Sequence, residues 1–338
     1  MRTARIKAEG AGYYHCMSRI IERRMALGKD EKDKFRKLMR LVAEFCEVKV
    51  LTWSCLDNHW HLLLYVPERR EVSDKELIKK LKLIYDKPFV KEIEQQLKDY
   101  REDGQDYWAD ELKERYTYRM FDLSEFMKML KQRYTQWYNR RAGRKGTLWE
   151  ERFKSLLIEG SEHALSTMAA YIDLNAVRAG IVSDPKDYRY CGYGEAVAGV
   201  KEAKEGLKQV MLDLGQSGNW TSISRTYRKY LYESGGAKGI DEDGRSIKAG
   251  FSRQKVEKVL AEGGRLSRME LLRCRVRYFS DGVALGRKEF VERVFKEHRK
   301  DFGLKRKTGA RAMRRGDWGG LCTMRDLRMQ VISVSQRT

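Results

Sequence analysis

The sequence predicts an α+β sandwich of ferredoxin-like type, with helices packed on one face of an antiparallel sheet, a helical insertion and a mainly helical C-terminal extension. Three observations predict it. Short apolar runs alternate with amphipathic stretches in the order β-α-β-β-(insert)-α-β-α up to about residue 195. Residues 68–118 interrupt that order with heavily charged helical patterns. Beyond residue 195 the alternation gives way to Gly-rich and basic segments.

Each element has its own warrant. "GYYHCMSR", residues 12–19, reads as a first strand. In "KDEKDKFRKLMRLVAEFCEV" the residues Phe35, Leu38, Leu41, Val42 and Phe45 recur at helical spacing. "KVLTWSCL" reads as a second strand, and Asp57-Asn58 as a turn. "HWHLLLYV", residues 59–66, is a third strand, apolar on both faces past its histidines and therefore central. In the insert, "KELIKKLKLIY" and "FVKEIEQQLKDY" are helical. Ser124 is a candidate cap for "EFMKMLKQRYTQWYNRRAG". "GTLWEERFKSLLIEG" is a strand-like return, and Ser161 opens a last helix that Gly180 closes.

Three units follow: residues 1–195 with the insertion at about 68–118; a connector, 196–250, with the Gly-rich linker "SGGAKGIDEDGRSIKAG"; and a basic helical region, 251–338. In the last, "RQKVEKVLAEGG", "SRMELLRCRVRYFSDGVALG" and "RKEFVERVFKEHRKDFG" read as three helical pieces, and the final 40 or so residues as basic and sparse in core residues. This region is a candidate DNA-binding module, with dimerisation or a lid as alternatives.

With 70 Lys+Arg against 49 Asp+Glu, the net charge is +21, which points to a polyanionic partner, nucleic acid before membrane. No stretch reaches the ~20 uncharged apolar residues of a membrane span, and the N-terminus does not read as a secretory signal, so a cytoplasmic, nucleoid-associated protein is expected. The six cysteines are far apart and form no CxxC pair, and several, lying in apolar runs, read as buried thiols.

His59 and His61 are two apart on a strand, so both leave one face and can share a divalent metal. Taken alone, the pair is a weak motif. Tyr171 and Asn175 are four apart on a helix, so they share a face with Arg178. Leu165, Ala169, Ile172 and Ala176 form the stripe that holds this helix to the sheet. From these residues alone, Tyr171 is a reactive group or a half-buried packing residue. Tyr134 and Tyr138 repeat the spacing in "QRYTQWYNRR", where arginines and aromatics mix as in a nucleic-acid-contacting or packing helix.

"YYHCMSR", "DNHWHLLLYV", "GTLWEERFKSLLI" and "AAYIDLNAVRAG", in that order, resemble the motifs of the IS200-like tyrosine transposases of the HUH type. More narrowly they resemble the REP-associated branch. The resemblance covers roughly residues 10–195 apart from the insert. It implies that His59, His61 and Asn175 bind Mg²⁺ or Mn²⁺ and that Tyr171 is the nucleophile. It also implies a metal-dependent single-strand endonuclease and strand transferase that forms a 5′-phosphotyrosine on single-stranded or hairpin DNA, REP-like in sequence. His15 matches a family position and reads most simply as structural; Asp57 is a turn residue or a support for the site. Arg152, Lys154, Arg178, Arg133, Arg140 and Arg141 are candidate DNA contacts, as is the basic tail. Monomer and helix-swapped homodimer both remain open. Two rivals stand beside this reading: a domesticated, non-catalytic DNA-binding protein, and a phosphohydrolase that uses water. The long insert and the extension depart from the minimal family pattern.

Overall fold

A computed structural model describes residues 5–212, 218–232, 272, 276–314 and 318–325. Strands β1 (Gly12–Arg19) and β3 (His59–Val66) have the bounds the apolar runs predict. β2 (Lys49–Cys55) and β1 pair antiparallel with β3, and β4 (Lys154–Ile158) pairs antiparallel with β1. Between β1 and β2 runs α1 (Lys29–Cys46), and before β4 runs α5 (Leu123–Arg141). These two helices pack together over Trp60, whose ring centroid lies 5.3 Å from Phe35 and 6.0 Å from Trp149. On the opposite face α6 (Glu162–Asp173) packs against β2 and β3. Helices thus cover both faces, where the sequence predicts one. The reason is in β3: Leu62, Leu63 and Leu64 point alternately to both faces and all are fully buried, so each face needs a cover.

The insert is helical, as its patterns predict: α2 (Asp74–Ile84), α3 (Lys87–Glu102) and α4 (Asp106–Thr117). Ser73 and Asp86 cap α2 and α3 by accepting the amides of Glu76 and Phe89. Arg101 ties the three together, donating to Asp74 at 3.0 Å and to Asp106 and Asp110 at 2.6 Å each. The cap of α5 is Asp122, not Ser124: its Oδ1 accepts the amides of Ser124 at 2.7 Å and Glu125 at 2.9 Å. Ser161 does sit at the N-cap of α6, but its hydroxyl donates to Glu159 instead of accepting from the helix.

After α6 come α7 (Asn175–Arg178), α8 (Gly192–Val197), α9 (Lys201–Leu212) and α10 (Trp220–Tyr232). Gly206 lets α9 lie on β2, since a Cβ there would meet the Leu51 carbonyl oxygen at 2.4 Å. The C-terminal part departs most from expectation. It contributes α11 (Arg277–Asp281) and α12 (Lys288–Glu297), but also β5 (Ala284–Gly286), β6 (Arg311–Ala312) and β7 (Cys322–Met324). Of the stretch 267–286 read as one helical piece, the described part holds α11, which ends at Asp281 ahead of Gly282 and is followed by a strand; the piece at 253–264 lies outside the described residues. The described part of the tail is not sparse in core residues either: Phe302, Met313, Trp318, Leu321 and Met324 are buried.

The resulting sheet has the order β2-β3-β1-β4-β5-β7-β6. Its first four strands are antiparallel, but β5 runs parallel to β4, so the whole is a mixed, open sheet in an α+β fold, not an antiparallel one. Five cysteines, Cys16, Cys46, Cys55, Cys191 and Cys322, are buried free thiols as expected; Cys274 lies outside the described residues. No helix among the described residues is long and apolar enough to cross a membrane.

Candidate active site

Strand alternation sends His59 and His61 to the α6 side of the sheet and Trp60 to the α1 side. On β1 the partners of the two histidines are Arg19 and Met17, with His15 two residues further along the same face. The imidazoles form two hydrogen-bonded chains. His15 Nδ1 faces the Phe279 carbonyl oxygen at 3.1 Å, which can only accept, so Nδ1 carries the proton. His15 Nε2 is then the acceptor for His61 Nδ1–H at 2.8 Å, and the lone pair of His61 falls on Nε2. In the same way His59 Nδ1–H donates to Asn58 Oδ1 at 2.6 Å, which leaves its lone pair on Nε2.

Opposite them the chain turns from α6 into α7 at Leu174, whose amide still reaches the Ala170 carbonyl at 3.0 Å. The helical advance therefore survives the break. Tyr171 lies over the histidines, its ring centroid 6.0 Å from His61 and 6.3 Å from His15. Asn175 Nδ2 lies 3.4 Å from His59 Nε2. Four residues named from sequence thus meet: His59, His61, Tyr171 and Asn175. Arg178 joins them, its guanidinium 3.9 Å from the centre of the Tyr171 ring, donating to Asn175 Oδ1 at 3.2 Å and to the Leu272 carbonyl at 2.8 Å.

The reactive stripe is not open. Tyr171 is only 4% exposed, covered by the ring of Phe279 at 4.8 Å and by Arg178. The helix α6 carries small and apolar residues nearly all round, and α9 and β5 pack against it in addition to β2 and β3. Burial also sets the electrostatics. It pushes the His15 imidazole down to about 4, partly offset by the Phe279 carbonyl and reinforced by Arg178. Burial, then the neighbouring His15 and His59, hold His61 well below the usual imidazole range. Both rings are neutral near pH 7, the form that ligates metal.

The remaining candidates divide. Lys154 starts β4 in the same row as Met17 and His61, and ion-pairs with Glu151 at 3.3 Å and Asp281 at 3.8 Å. Arg152 precedes β4, so the two do not share a strand as predicted; with Arg19 they line a cavity of about 30 Å³. Arg133, Arg140 and Arg141 belong to α5, across the sheet from the histidines. Arg133 bonds the Ile84 carbonyl and Arg141 pairs with Asp30, which suits packing and surface roles. Tyr134 is fully buried, donating to the Glu31 carbonyl. Asp57 pairs with Lys32 at 2.5 Å. Sequence reasoning missed Asn58, Arg19 and Phe279 as neighbours of the site. Arg19 was in principle accessible, since it lies an even number of residues from His15 on one strand.

Among the described residues no three His, Cys, Asp or Glu side chains gather as a metal site. The set available is two imidazole Nε2 atoms and one carboxamide. Turning the carboxamide oxygen toward the imidazoles would break the Arg178 hydrogen bond to it. Such a set fits a divalent cation that takes its other ligands, as oxygen, from a phosphate and water.

The fold and these residues can be set beside known proteins. Residues 10–114 match the family described as "Transposase IS200 like". The match spans His59 and His61 and stops before Tyr171 and Asn175. Among solved structures, the chain is similar to one described as a REP-associated tyrosine transposase bound to a REP hairpin, at 16% identity and a TM-score of 0.39, over 59% of this chain and 87% of that one. No curated protein matches.

Proposed function

We propose that the chain is a metal-dependent single-strand DNA endonuclease and strand transferase acting through Tyr171, on hairpin-forming, REP-like DNA. The observation that carries this reading is the convergence of Tyr171 and Asn175 on His59 and His61, across 116 residues of sequence between Asn175 and His59. On this reading the unit β1-α1-β2-β3-α5-β4, with strand order β2-β3-β1-β4, is the ferredoxin-like sandwich of an HUH nuclease. His59 Nε2, His61 Nε2 and Asn175 would hold Mg²⁺ or Mn²⁺. The cation supplies charge neutralisation at a scissile phosphate when bound. The Tyr171 oxygen attacks phosphorus, the bond from phosphorus to the 3′-oxygen breaks, and the phenol proton ends on the departing 3′-OH. Arg178 offers positive charge on the face of the Tyr171 ring. The side chains of Phe279 and Arg178 must part from Tyr171 before a strand reaches it. All four site residues meet within one chain, so on this reading the site works in cis.

A second reading, DNA binding without cleavage, is favoured by one observation: the burial of Tyr171. One experiment separates them. The protein is incubated with 5′- and 3′-labelled hairpin DNA and Mn²⁺ and run on a denaturing gel. A protein-linked fragment is expected with the wild type and is lost in Tyr171→Phe and His59→Ala. Binding without cleavage supports the second reading. Cleavage with no linked species indicates hydrolysis by water, and an adduct that persists in Tyr171→Phe removes Tyr171 as nucleophile.

A further inference from the structure

We propose that His15 is a positioning residue: it fixes His61 in the Nδ1–H tautomer and anchors that choice to the backbone carbonyl of Phe279. The proposal rests on the reading of His61 as a metal ligand given above.

The argument begins with where His15 sits. It is the fourth residue of β1, an inner strand of the sheet, with Leu63 on one side and Leu156 on the other. Only 2% of its surface reaches solvent. An imidazole in such a place is costly unless both nitrogens are paired. Both are, and in a fixed direction. A peptide carbonyl can accept but not donate, so Phe279 dictates which nitrogen of His15 carries the proton. That leaves His15 Nε2 able only to accept, and it takes the Nδ1–H of His61 at 2.8 Å. The two rings lie nearly parallel, 11° apart, with centroids 5.0 Å from each other. The relay has one polarity and one end product, a lone pair on His61 Nε2. A leucine at residue 15 would fill the space equally well among apolar neighbours, but it would leave His61 Nδ1–H buried and unpaired. His61 would then be free to move its proton to Nε2, the atom a metal needs.

The relay also assigns a role to residues around 279. They complete the site by supplying a carbonyl group, through backbone chemistry that no side-chain motif records.

The test uses the full chain labelled with ¹⁵N at its five histidines. Long-range ¹H–¹⁵N spectra at neutral pH distinguish the two tautomers, and Mn²⁺ titration by calorimetry reads affinity. In the wild type, His15 and His61 are both expected as Nδ1–H. In His15→Leu, His61 shifts to a mixture containing Nε2–H, and Mn²⁺ affinity falls about 10-fold or more. His15→Gln, which carries both an acceptor and a donor, restores the Nδ1–H form of His61 and most of the affinity. An Nε2–H proton on His61 in the wild type overturns the proposal, whatever the variants do. So does a His15→Leu protein in which His61 stays wholly Nδ1–H. If the wild type takes up no Mn²⁺, the metal-site reading fails by itself, and the tautomer spectra still decide the role of His15.

Discussion

Asp173 is fully buried, and among the described residues no cation pairs with it; three hydrogen-bond donors hold it instead. Its carboxylate accepts from Tyr227 at 2.6 Å, Thr52 at 2.7 Å and the Tyr193 amide at 3.1 Å. Burial pushes its pKa up to about 6, against the pull of these three hydrogen bonds. Asp173 thereby joins α6 to β2, α8 and α10 at one point. Asp173→Ala strands three buried donors and is expected to destabilise the fold by on the order of 3 kcal/mol or more. Asp173→Asn, which keeps one acceptor oxygen, costs less. Urea denaturation of both variants checks this, and equal losses would contradict it. At this scale the sequence was informative where local geometry sets the outcome. The period of a strand puts His59 and His61 on one face, and the period of a helix puts Tyr171 and Asn175 together. It was silent where the partner is distant: nothing near His15 announces a carbonyl 264 residues away.

Among the elements, α5 illustrates how a correct element can carry a wrong terminus. "DLSEF" offers two capping residues, Asp122 and Ser124, and local chemistry permits either. Asp122 prevails because its carboxylate reaches two amides at once and also meets Lys7 at 2.7 Å. Asp122→Ala is expected to cost about 1–2 kcal/mol, most of it the lost cap. Ser124→Ala changes stability by little. A thermal melt of the two variants compares them directly; a larger loss in Ser124→Ala would reverse the assignment. The strands of the C-terminal part were illegible for a different reason. β5, β6 and β7 have three, two and three residues, too few to show any alternation. Their pairing comes from the edge of β4, which only the assembled fold exposes.

For the whole molecule, the net charge of +21 has a measurable consequence under the proposed function. If the chain neutralises about six phosphates, raising salt from roughly 50 to 200 mM weakens hairpin binding by about 1,000-fold. Fluorescence anisotropy with a labelled hairpin across that range gives the slope. A flat response would mean that the basic surface does not meet the backbone. The overall plan was partly legible. The N-terminal strand and helix order follows from long periodic segments, whereas the sheet runs on past β4, the last strand read from the sequence, through β5 and β7 to β6.

That continuity bears on how the protein is made. As the chain leaves the ribosome, β1 to β4 emerge well before β5, which is 126 residues after the last residue of β4 in the order of synthesis, from Ile158 to Ala284. During that interval β4 is a bare edge with unpaired amides and carbonyls, the kind of surface to which a neighbouring nascent chain adds a strand. The Lys154 at its start discourages such pairing by charge, but Leu156, Leu157 and Ile158 invite it. The arrival of β5 closes the edge, and with it brings Phe279 to His15 and Tyr171. Protection from aggregation and completion of the site are thus the same late event in the life of the chain.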